Sequence, residues 1–164
     1  MVYDAQKIPL IVHLLKENKF NKVVVFCSSK LNVKQLTKDL KRNGINAGEI
    51  HSDLEQDQRE DALSQYRSGR LPVLVATDIL SRGIDIDNID LVINFDVPHD
   101  GEDYVHRIGR TARAAAEGTA YTLVNVNAQR KVSQIEKLIE QKINKSPVHQ
   151  QLRKQPEHNL SYFA

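Results

Sequence analysis

Short apolar runs alternate along this chain with longer stretches in which apolar residues recur every three or four positions. Runs rich in branched and aromatic residues are typical of strands buried on both faces, and the longer period is typical of helices packed on one side. These patterns predict strands at 23–27, 47–50, 72–76, 91–95 and 119–124, and helices at 5–18, 31–43, 55–68 and 127–144. Because strand and helix alternate, we expect right-handed crossovers and an α/β fold, with a doubly wound, mainly parallel sheet between two layers of helices.

Several predicted elements carry signals at their ends. Gly44 and Gly69 directly follow predicted helices, where a glycine ends a helix at low cost. Pro9 is expected in the first turn of the N-terminal helix, since a proline further along removes a backbone hydrogen bond. After Ser146, glutamine, proline and basic residues replace the periodic pattern. We therefore predict one domain over residues 1–145 and a flexible tail over 146–164.

Composition narrows the class of protein without indicating a function. The 164 residues are 40% apolar and 27% charged, which fits one globular domain with a sizeable core. No apolar run approaches the roughly 18 residues of a membrane span, so we expect a cytoplasmic protein. The single cysteine, Cys27, excludes an internal disulfide, and the histidines show no metal-ligand spacing. Because the net charge is only +2, any nucleic-acid site must come from local clustering of basic residues.

Polar residues follow the predicted strands at the edge where ligands of a doubly wound sheet bind. Ser28 and Ser29 follow the first strand at the start of a helix, where hydroxyls and free amides could hold a phosphate; N-capping explains them equally well. After the second strand, Asp53 and Gln56 have the spacing of a capping box. Arg59, about one helical turn after Gln56, has no such structural explanation.

The stretch 104–113, Tyr-Val-His-Arg-Ile-Gly-Arg-Thr-Ala-Arg, is the most strongly basic part of the chain. If it is helical, His106, Arg110 and Arg113 lie on one face, with Arg107 at the flank. The nearby acidic residues belong to the first turn of that helix, where they compensate its dipole. Arginine presents a rigid, permanently charged fork that suits phosphate oxygens, so a polyphosphate is the first candidate ligand. A solvated basic face is the alternative.

Two glycines indicate close contacts. Gly109 lies inside the predicted arginine helix at a cost of about 1 kcal/mol against alanine, so we expect a backbone or ligand to approach it. Gly83 lies in the loop after the third strand, near the carboxylate of Asp85, and that combination suits a ribose hydroxyl. Thr77 and Asp78 leave the same strand at its carboxyl end.

Together these segments resemble a known family. The strings Phe-Cys-Ser-Ser-Lys, His-Ser-Asp-Leu-Glu-Gln-Asp-Gln-Arg, Val-Ala-Thr-Asp-Ile-Leu-Ser-Arg-Gly-Ile-Asp-Ile, Val-Ile-Asn-Phe-Asp-Val-Pro and the arginine stretch occur in that order. They resemble the motifs of the second RecA-like domain of DEAD-box ATP-dependent RNA helicases, and the likeness runs from about residue 5 to 145. The resemblance implies a RecA-like three-layer fold and a role in ATP-driven local unwinding of RNA or remodelling of ribonucleoproteins.

The resemblance also implies roles for individual residues. Arg110 and Arg113 match the arginine fingers that reach the γ-phosphate of ATP, and such fingers are worth about 10³ to 10⁵ in rate. His106 would couple the cleft to the partner domain. The remaining matches fall into two groups: Gly83 and Asp85 on the ribose side of ATP, and Ser29, Gln56, Arg59, Thr77 and Asp78 on the RNA side.

The sequence lacks two motifs of the complete enzyme. It contains neither a Gly-x-x-x-x-Gly-Lys-[Ser/Thr] loop nor Asp-Glu-Ala-Asp. We therefore expect an N-terminal RecA-like domain of the same enzyme to supply the P-loop, the carboxylates that hold Mg²⁺, and the catalytic base, and we expect this chain alone to be inactive. The chain also has Ser52, Ala112 and Ala115 where the family usually has glycine. A non-catalytic docking module for RNA or protein and a DNA-directed relative remain the alternatives.

Overall fold

The computed structural model describes residues 2–78, 86, 88–110, 118–147 and 161–163. Five α-helices and seven strands lie in these ranges, and their order follows the predicted alternation. Gly44 and Gly69 each lie two residues after the last residue of a helix and have φ values of 79° and 78°, as expected for glycines that end helices. The elements are α1 Asp4–Glu17, β1 Val23–Phe26, α2 Lys30–Arg42, β2 Ala47–Ile50, α3 Gln56–Arg67, β3 Val73–Ala76, β4 Leu91–Asn94, α4 Gly101–Ile108, β5 Thr119–Thr122, a 3₁₀ turn Val126–Ala128, α5 Gln129–Leu138, β6 Lys145–Pro147 and β7 Ser161–Phe163.

The sheet has the order β2-β3-β1-β4-β5-β7-β6 in the described part of the chain. Its first five strands are parallel, which confirms the predicted α/β fold with a mainly parallel sheet. β7 pairs antiparallel with both β5 and β6. Two short stretches after residue 144 therefore extend the sheet, whereas the sequence predicted only a flexible tail after Ser146.

Helices cover both faces of the sheet because alternate strand residues point to opposite sides. Val23 and Val25 pack with apolar residues of α1 and α2 on one face. Val24 and Phe26 pack with Leu63 and others of α3 on the opposite face. A third cluster joins α4 and α5 to the segments that follow β4 and β5. The three predicted layers are therefore present, with a buried apolar cluster on each face of the sheet.

Three predicted helices have different bounds in the structure. Pro9 is the sixth residue of α1 and lies inside the helix, on an exposed side, rather than in its first turn. The last predicted helix, 127–144, is a 3₁₀ turn followed by α5, which ends at Leu138; Glu140 soon afterwards has a φ of 55°. The arginine helix α4 ends at Ile108. Within the described ranges, none of the helices combines the length and apolarity needed to cross a bilayer.

Candidate functional site at the carboxyl edge of the sheet

The loops that follow β1 to β5 meet at one edge because these strands are parallel. A cavity of about 620 Å³ opens there, and residues that follow four different strands line it. Its charged lining includes the cations Lys7, Arg107 and Lys131 and the carboxylates of Asp78, Asp96 and Asp103. The cations of this edge therefore lie beside carboxylates, of which Asp78 was predicted here from the sequence.

Arg107 is a buried charged residue held by several contacts at this edge. Its side chain is only 1% exposed, and two of its nitrogens donate to the two carboxylate oxygens of Asp78 at 2.6 and 2.8 Å. A third nitrogen donates to Asn94 Oδ1 at 3.1 Å and to the carbonyl of Asp96 at 3.3 Å. The guanidinium also lies 5.2 Å from the centre of the Phe26 ring. The placement of Arg107 at the flank of a basic face was therefore wrong, because Asp78 neutralises it inside the protein.

Helix α4 contains residues 104–108 of the arginine stretch and ends before Arg110, whereas the sequence predicted a helix that continues through Arg110. Asp100 caps its first turn by accepting from the N–H of Asp103 at 2.9 Å, and the helix ends eight residues later. Arg110 follows in a turn, with its N–H 3.3 Å from the carbonyl of Arg107. Arg110 is half-buried and His106 is exposed. Of the three residues expected on one helical face, His106 lies within α4, Arg110 lies in the turn that follows it, and Arg113 lies outside the described residues.

Gly109 has a local explanation. A Cβ built on Gly109 would lie 2.9 Å from the carbonyl oxygen of Val105, which is closer than side chains normally approach. The same oxygen accepts the N–H of Gly109 at 2.8 Å. The expected close approach exists, but the neighbour is the last turn of the helix itself. Gly109 therefore allows α4 to close tightly just before Arg110.

The loop between β1 and α2 is tied to the end of β4. Ser29 is the N-cap of α2 and accepts from the N–H of Asn32 at 3.2 Å. Ser28 donates to Asp96 Oδ2 through its N–H at 3.0 Å and its hydroxyl at 2.9 Å. Burial acts to raise the pKa of Asp96, but the hydrogen bonds from Ser28 and the charge of Lys7 outweigh it and hold that pKa below the ordinary value. Asp96 is therefore an anionic anchor for the serine loop.

The segment after β2 also differs from its predicted capping. The N-cap of α3 is Glu55, whose N–H donates to Gln58 Oε1 at 2.9 Å, so the expected box between Asp53 and Gln56 is wrong by two residues. Asp53 instead accepts from Lys30 at 2.7 Å and from Lys34 at 2.8 Å. Hydrogen bonds from these two lysines lower the pKa of Asp53 to about 2. Gln56 donates to Glu60 at 2.9 Å.

Several buried polar atoms at this edge have no hydrogen-bond partner. In the part of the chain that the structure describes, four such side-chain atoms occur, and three of them are His51 Nε2, Arg59 Nε and Thr77 Oγ1. Of these, His51 Nε2 lies 3.6 Å from the carboxylate of Glu49. His51 Nδ1 accepts from the N–H of Asp53 at 3.3 Å, which makes Nε2 the nitrogen that carries the proton. All three atoms can therefore donate. Because unsatisfied buried donors are costly, their concentration beside β2 and β3 is typical of a functional site.

The structure brings together some of the predicted site residues. Thr77 and Asp78 lie at the end of β3, and Asp78 is joined directly to Arg107 on α4. Arg59 lies in the first turn of α3, with a terminal nitrogen 3.3 Å from the carbonyl of Ser52. Gly83 and Asp85 lie outside the described residues. Sequence reasoning missed Asp96 and the burial of Arg107, although a carboxylate so soon after a buried strand, as in Phe-Asp-Val-Pro, was an available signal.

The family model and the sequence relatives that match this chain indicate the same family. The family model described as "Helicase conserved C-terminal domain" matches residues 6–115. The ATP-dependent RNA helicase DBP2 of Gibberella zeae is 42% identical over 134 residues, which are 80% of this chain and 24% of that protein. The ATP-dependent RNA helicase RhlB of Xanthomonas axonopodis is 40% identical over 149 residues, 91% of this chain and 26% of that protein. This chain thus spans about a quarter of the length of these curated relatives.

Solved structures agree with the sequence relatives. The DEAD-box protein SrmB of E. coli, in a structure with regulator of ribonuclease activity A, matches with a TM-score of 0.85 and 38% identity, covering 94% of this chain and 91% of that one. A DEAD-box protein of Methanococcus jannaschii matches with a TM-score of 0.80 and 38% identity, covering 86% of this chain and 39% of that one. These matches place the sheet, and the edge described above, in a RecA-like C-terminal domain. The chain therefore belongs to the helicase conserved C-terminal domain family and is the C-terminal helicase domain of a DEAD-box RNA helicase.

Proposed function

We propose that this domain forms one half of the ATP site and one half of the RNA site of an ATP-dependent RNA helicase. The other halves come from an N-terminal RecA-like domain of the same enzyme. One observation carries the proposal: the buried pair of Arg107 and Asp78 joins the arginine segment on α4 to the polar end of β3. The pair thereby links the proposed nucleotide-binding residues at the end of α4 to the proposed RNA-binding residues at the end of β3.

On the nucleotide side, Arg110 is the proposed γ-phosphate contact that lies within the described residues. Its backbone is hydrogen-bonded to Arg107, and the tight end of α4 at Gly109 sets the direction in which the chain leaves the helix. Arg110 and Arg113 would contact the γ-phosphate as arginine fingers, and His106 would couple them to the partner domain. ATP supplies the phosphoanhydride bond whose cleavage drives the cycle. Gly83 and Asp85 are proposed for its ribose side, and the N-terminal domain for Mg²⁺.

On the RNA side, the proposed residues lie after three neighbouring strands. Ser29 uses one lone pair as an N-cap acceptor, so its hydroxyl hydrogen can donate to a phosphate oxygen. Arg59 and Thr77 carry buried donors without a partner, which a phosphate or ribose oxygen would satisfy. Gln56 and Asp78 support this group, Gln56 from the first turn of α3 and Asp78 by fixing the end of β3. Contacts of this kind recognise the backbone and shape of RNA rather than its sequence.

The Arg107–Asp78 pair also suggests how the two halves are coupled. A guanidinium held by two parallel hydrogen bonds has little freedom to rotate, so a displacement of α4 is transmitted to the residues after β3. Closure of the two domains would then bend the bound strand and break a few base pairs, at about 1.4 kcal/mol for each stacked step, a value quoted for DNA. Reopening would release the strand.

The experiment compares two arginines in the intact two-domain enzyme. Arg110→Ala should reduce RNA-stimulated ATP turnover about 10³-fold or more while RNA binding is retained, as expected for the loss of an arginine finger. Arg59→Ala should instead weaken RNA binding and reduce the slope of log K against log salt by about 0.7, the share of one phosphate contact on a single strand. Arg70→Ala is the control, because Arg70 is exposed next to the start of β3, at the opposite edge.

The same measurements separate this function from its rivals. Normal ATP turnover in Arg110→Ala would contradict the finger, and RNA binding without any RNA-stimulated ATP turnover in the wild-type enzyme would favour a docking module. RNA and DNA strands of equal sequence should be compared at one salt concentration, and a clear preference for DNA would contradict an RNA-directed enzyme.

A further inference from the structure

Lys7 is buried where a lysine is rarely found. It lies on α1, only 4% exposed, while the rest of the buried side of that helix is mainly apolar. Its ammonium nitrogen lies 3.4 Å from Asp96 Oδ1 and 3.2 Å from Asp4 Oδ1, and 4.8 Å from the centre of the Phe95 ring. Burying this charge is costly, and Leu10 and Ile11 already anchor α1 in the core. The packing of α1 therefore does not explain why position 7 is charged.

Asp96 is the residue through which Lys7 reaches the proposed RNA surface. Its two carboxylate oxygens have separate partners: Oδ1 contacts Lys7, and Oδ2 accepts from Ser28 N–H, Ser28 Oγ and, at 3.4 Å, Asn32 Nδ2. Lys7 thus holds the carboxylate from the α1 side, while the second oxygen faces the loop after β1. Without the lysine, the donors that the described residues place on the Asp96 carboxylate would all be neutral: Ser28 N–H, Ser28 Oγ and Asn32 Nδ2.

The loop held by Asp96 contains Ser29. Ser28 precedes Ser29 in the chain, and Asn32, the residue whose N–H caps onto Ser29 Oγ, follows it in the first turn of α2. Asp96 therefore holds both sides of the turn that carries the Ser29 hydroxyl. A shift of Asp96 would therefore displace that hydroxyl. Because groups that bind a ligand must be held within about 0.5 Å of their productive positions, such a displacement would weaken binding.

We propose that Lys7 is a positioning residue for RNA binding, which acts through Asp96 to fix the Ser28–Ser29 turn against the RNA backbone. This inference rests on the proposed function, since it takes Ser29 as an RNA contact. It adds a residue on α1, which contributes none of the RNA-side residues proposed above. The turn is accordingly organised before RNA arrives, so little of the binding free energy is spent on ordering it.

The test is Lys7→Met in the intact two-domain enzyme, since methionine keeps much of the length and apolar volume of the lysine chain. We expect the KM for RNA to rise about tenfold, an effect smaller than the hundredfold loss that a 1 Å misplacement can cause. The kcat at saturating RNA should change less than about twofold. Lys7→Arg should restore much of the affinity because it returns a cation to Asp96. Asp4→Asn is the matched control, because Asp4 contacts the same ammonium but is 74% exposed.

A double-mutant cycle separates positioning from a general structural effect. If Lys7 acts through the serine turn, the effect of Lys7→Met on the KM for RNA should shrink to about twofold or less in a Ser29→Ala background. Equal effects in both backgrounds, or an unchanged KM in a folded Lys7→Met enzyme, would overturn the inference. If Lys7→Met does not fold, Asn32→Ala removes another contact of Asp96 from the half-exposed side, and a KM for RNA that does not rise there would also overturn it.

Failure of the proposed function gives a different result. If Ser29 is not an RNA contact, Ser29→Ala alone leaves the KM for RNA unchanged, and both the RNA-side assignment and the role of Lys7 are contradicted together. If Ser29→Ala raises the KM and Lys7→Met does not, only the positioning role is lost.

Discussion

Removing either member of the Arg107–Asp78 pair should destabilise the domain by different amounts. The Arg107 side chain is 1% exposed and that of Asp78 is 38% exposed. Asp78→Ala would leave a guanidinium buried without its counter-ion, the situation that typically costs about 3–5 kcal/mol. Arg107→Met would leave a carboxylate that water can reach from one side, so the loss of the charge pair itself costs little. Its main cost is the unpaired side-chain amide oxygen (Oδ1) of buried Asn94, about 1–3 kcal/mol.

The assay is urea unfolding of the 164-residue chain, followed by circular dichroism, for both single variants and the double variant. Asp78→Ala should lower the free energy of unfolding by more than Arg107→Met does. The double variant should be no less stable than Asp78→Ala, because removing both partners leaves no buried charge, and the interaction term should reach about 2 kcal/mol. Val105→Ala is a suitable control, since Val105 is an exposed residue of the same helix.

Two results would refute this reasoning. Additive losses in the double variant would mean that the two side chains are not energetically coupled. A larger loss for Arg107→Met than for Asp78→Ala would mean that packing of the arginine, including its contact with Phe26, outweighs the buried charge.

Two further predictions concern other parts of the molecule. Lys30 and Lys34 lower the pKa of Asp53 from 3.8 to about 2, so their pairing contributes above about pH 3.8 and is lost as the pH falls through about 2. An NMR titration should place the Asp53 carboxyl midpoint near 2 in the wild type and closer to 3.8 in Lys30→Met/Lys34→Met; equal midpoints would contradict the pairing. Gly48→Ala should destabilise the domain by about 1–3 kcal/mol in urea unfolding, because the added methyl would overlap Leu71, which is 6% exposed. Gly101→Ala is its control: the methyl would meet Leu138, which is 61% exposed and can turn away, so an equal loss there would contradict the steric explanation.

Local sequence patterns were sufficient to predict most strands of the sheet. Buried runs such as 73–76 and 91–94 need apolar residues on both faces, and that requirement is visible in four consecutive letters. The glycines after α2 and α3 mark helix ends because a positive φ is a local property of the chain. The end of α5, which has no such residue, was predicted six residues too late, because capping and packing decide that boundary together.

The pairing of charges was beyond the reach of sequence reasoning. Arg107 and Asp78 are 29 positions apart, and Lys7 and Asp96 are 89 positions apart, so neither pair produces a recognisable spacing in the sequence. The capping box predicted after β2 failed for the same reason. The spacing of Asp53 and Gln56 is that of a capping box, but Asp53 pairs instead with two lysines of α2.

By itself, the sequence determined the alternation of strands and helices, the edge at which polar loops meet, and the family to which those loops belong. Each of these follows from the order and spacing of neighbouring residue types. Only the tertiary structure decided which arginine is neutralised inside the protein and which carboxylates hold the loops in place. The physical reason is that the energy of a charge depends on its burial and on its partners in space, and both are fixed only when distant segments pack together.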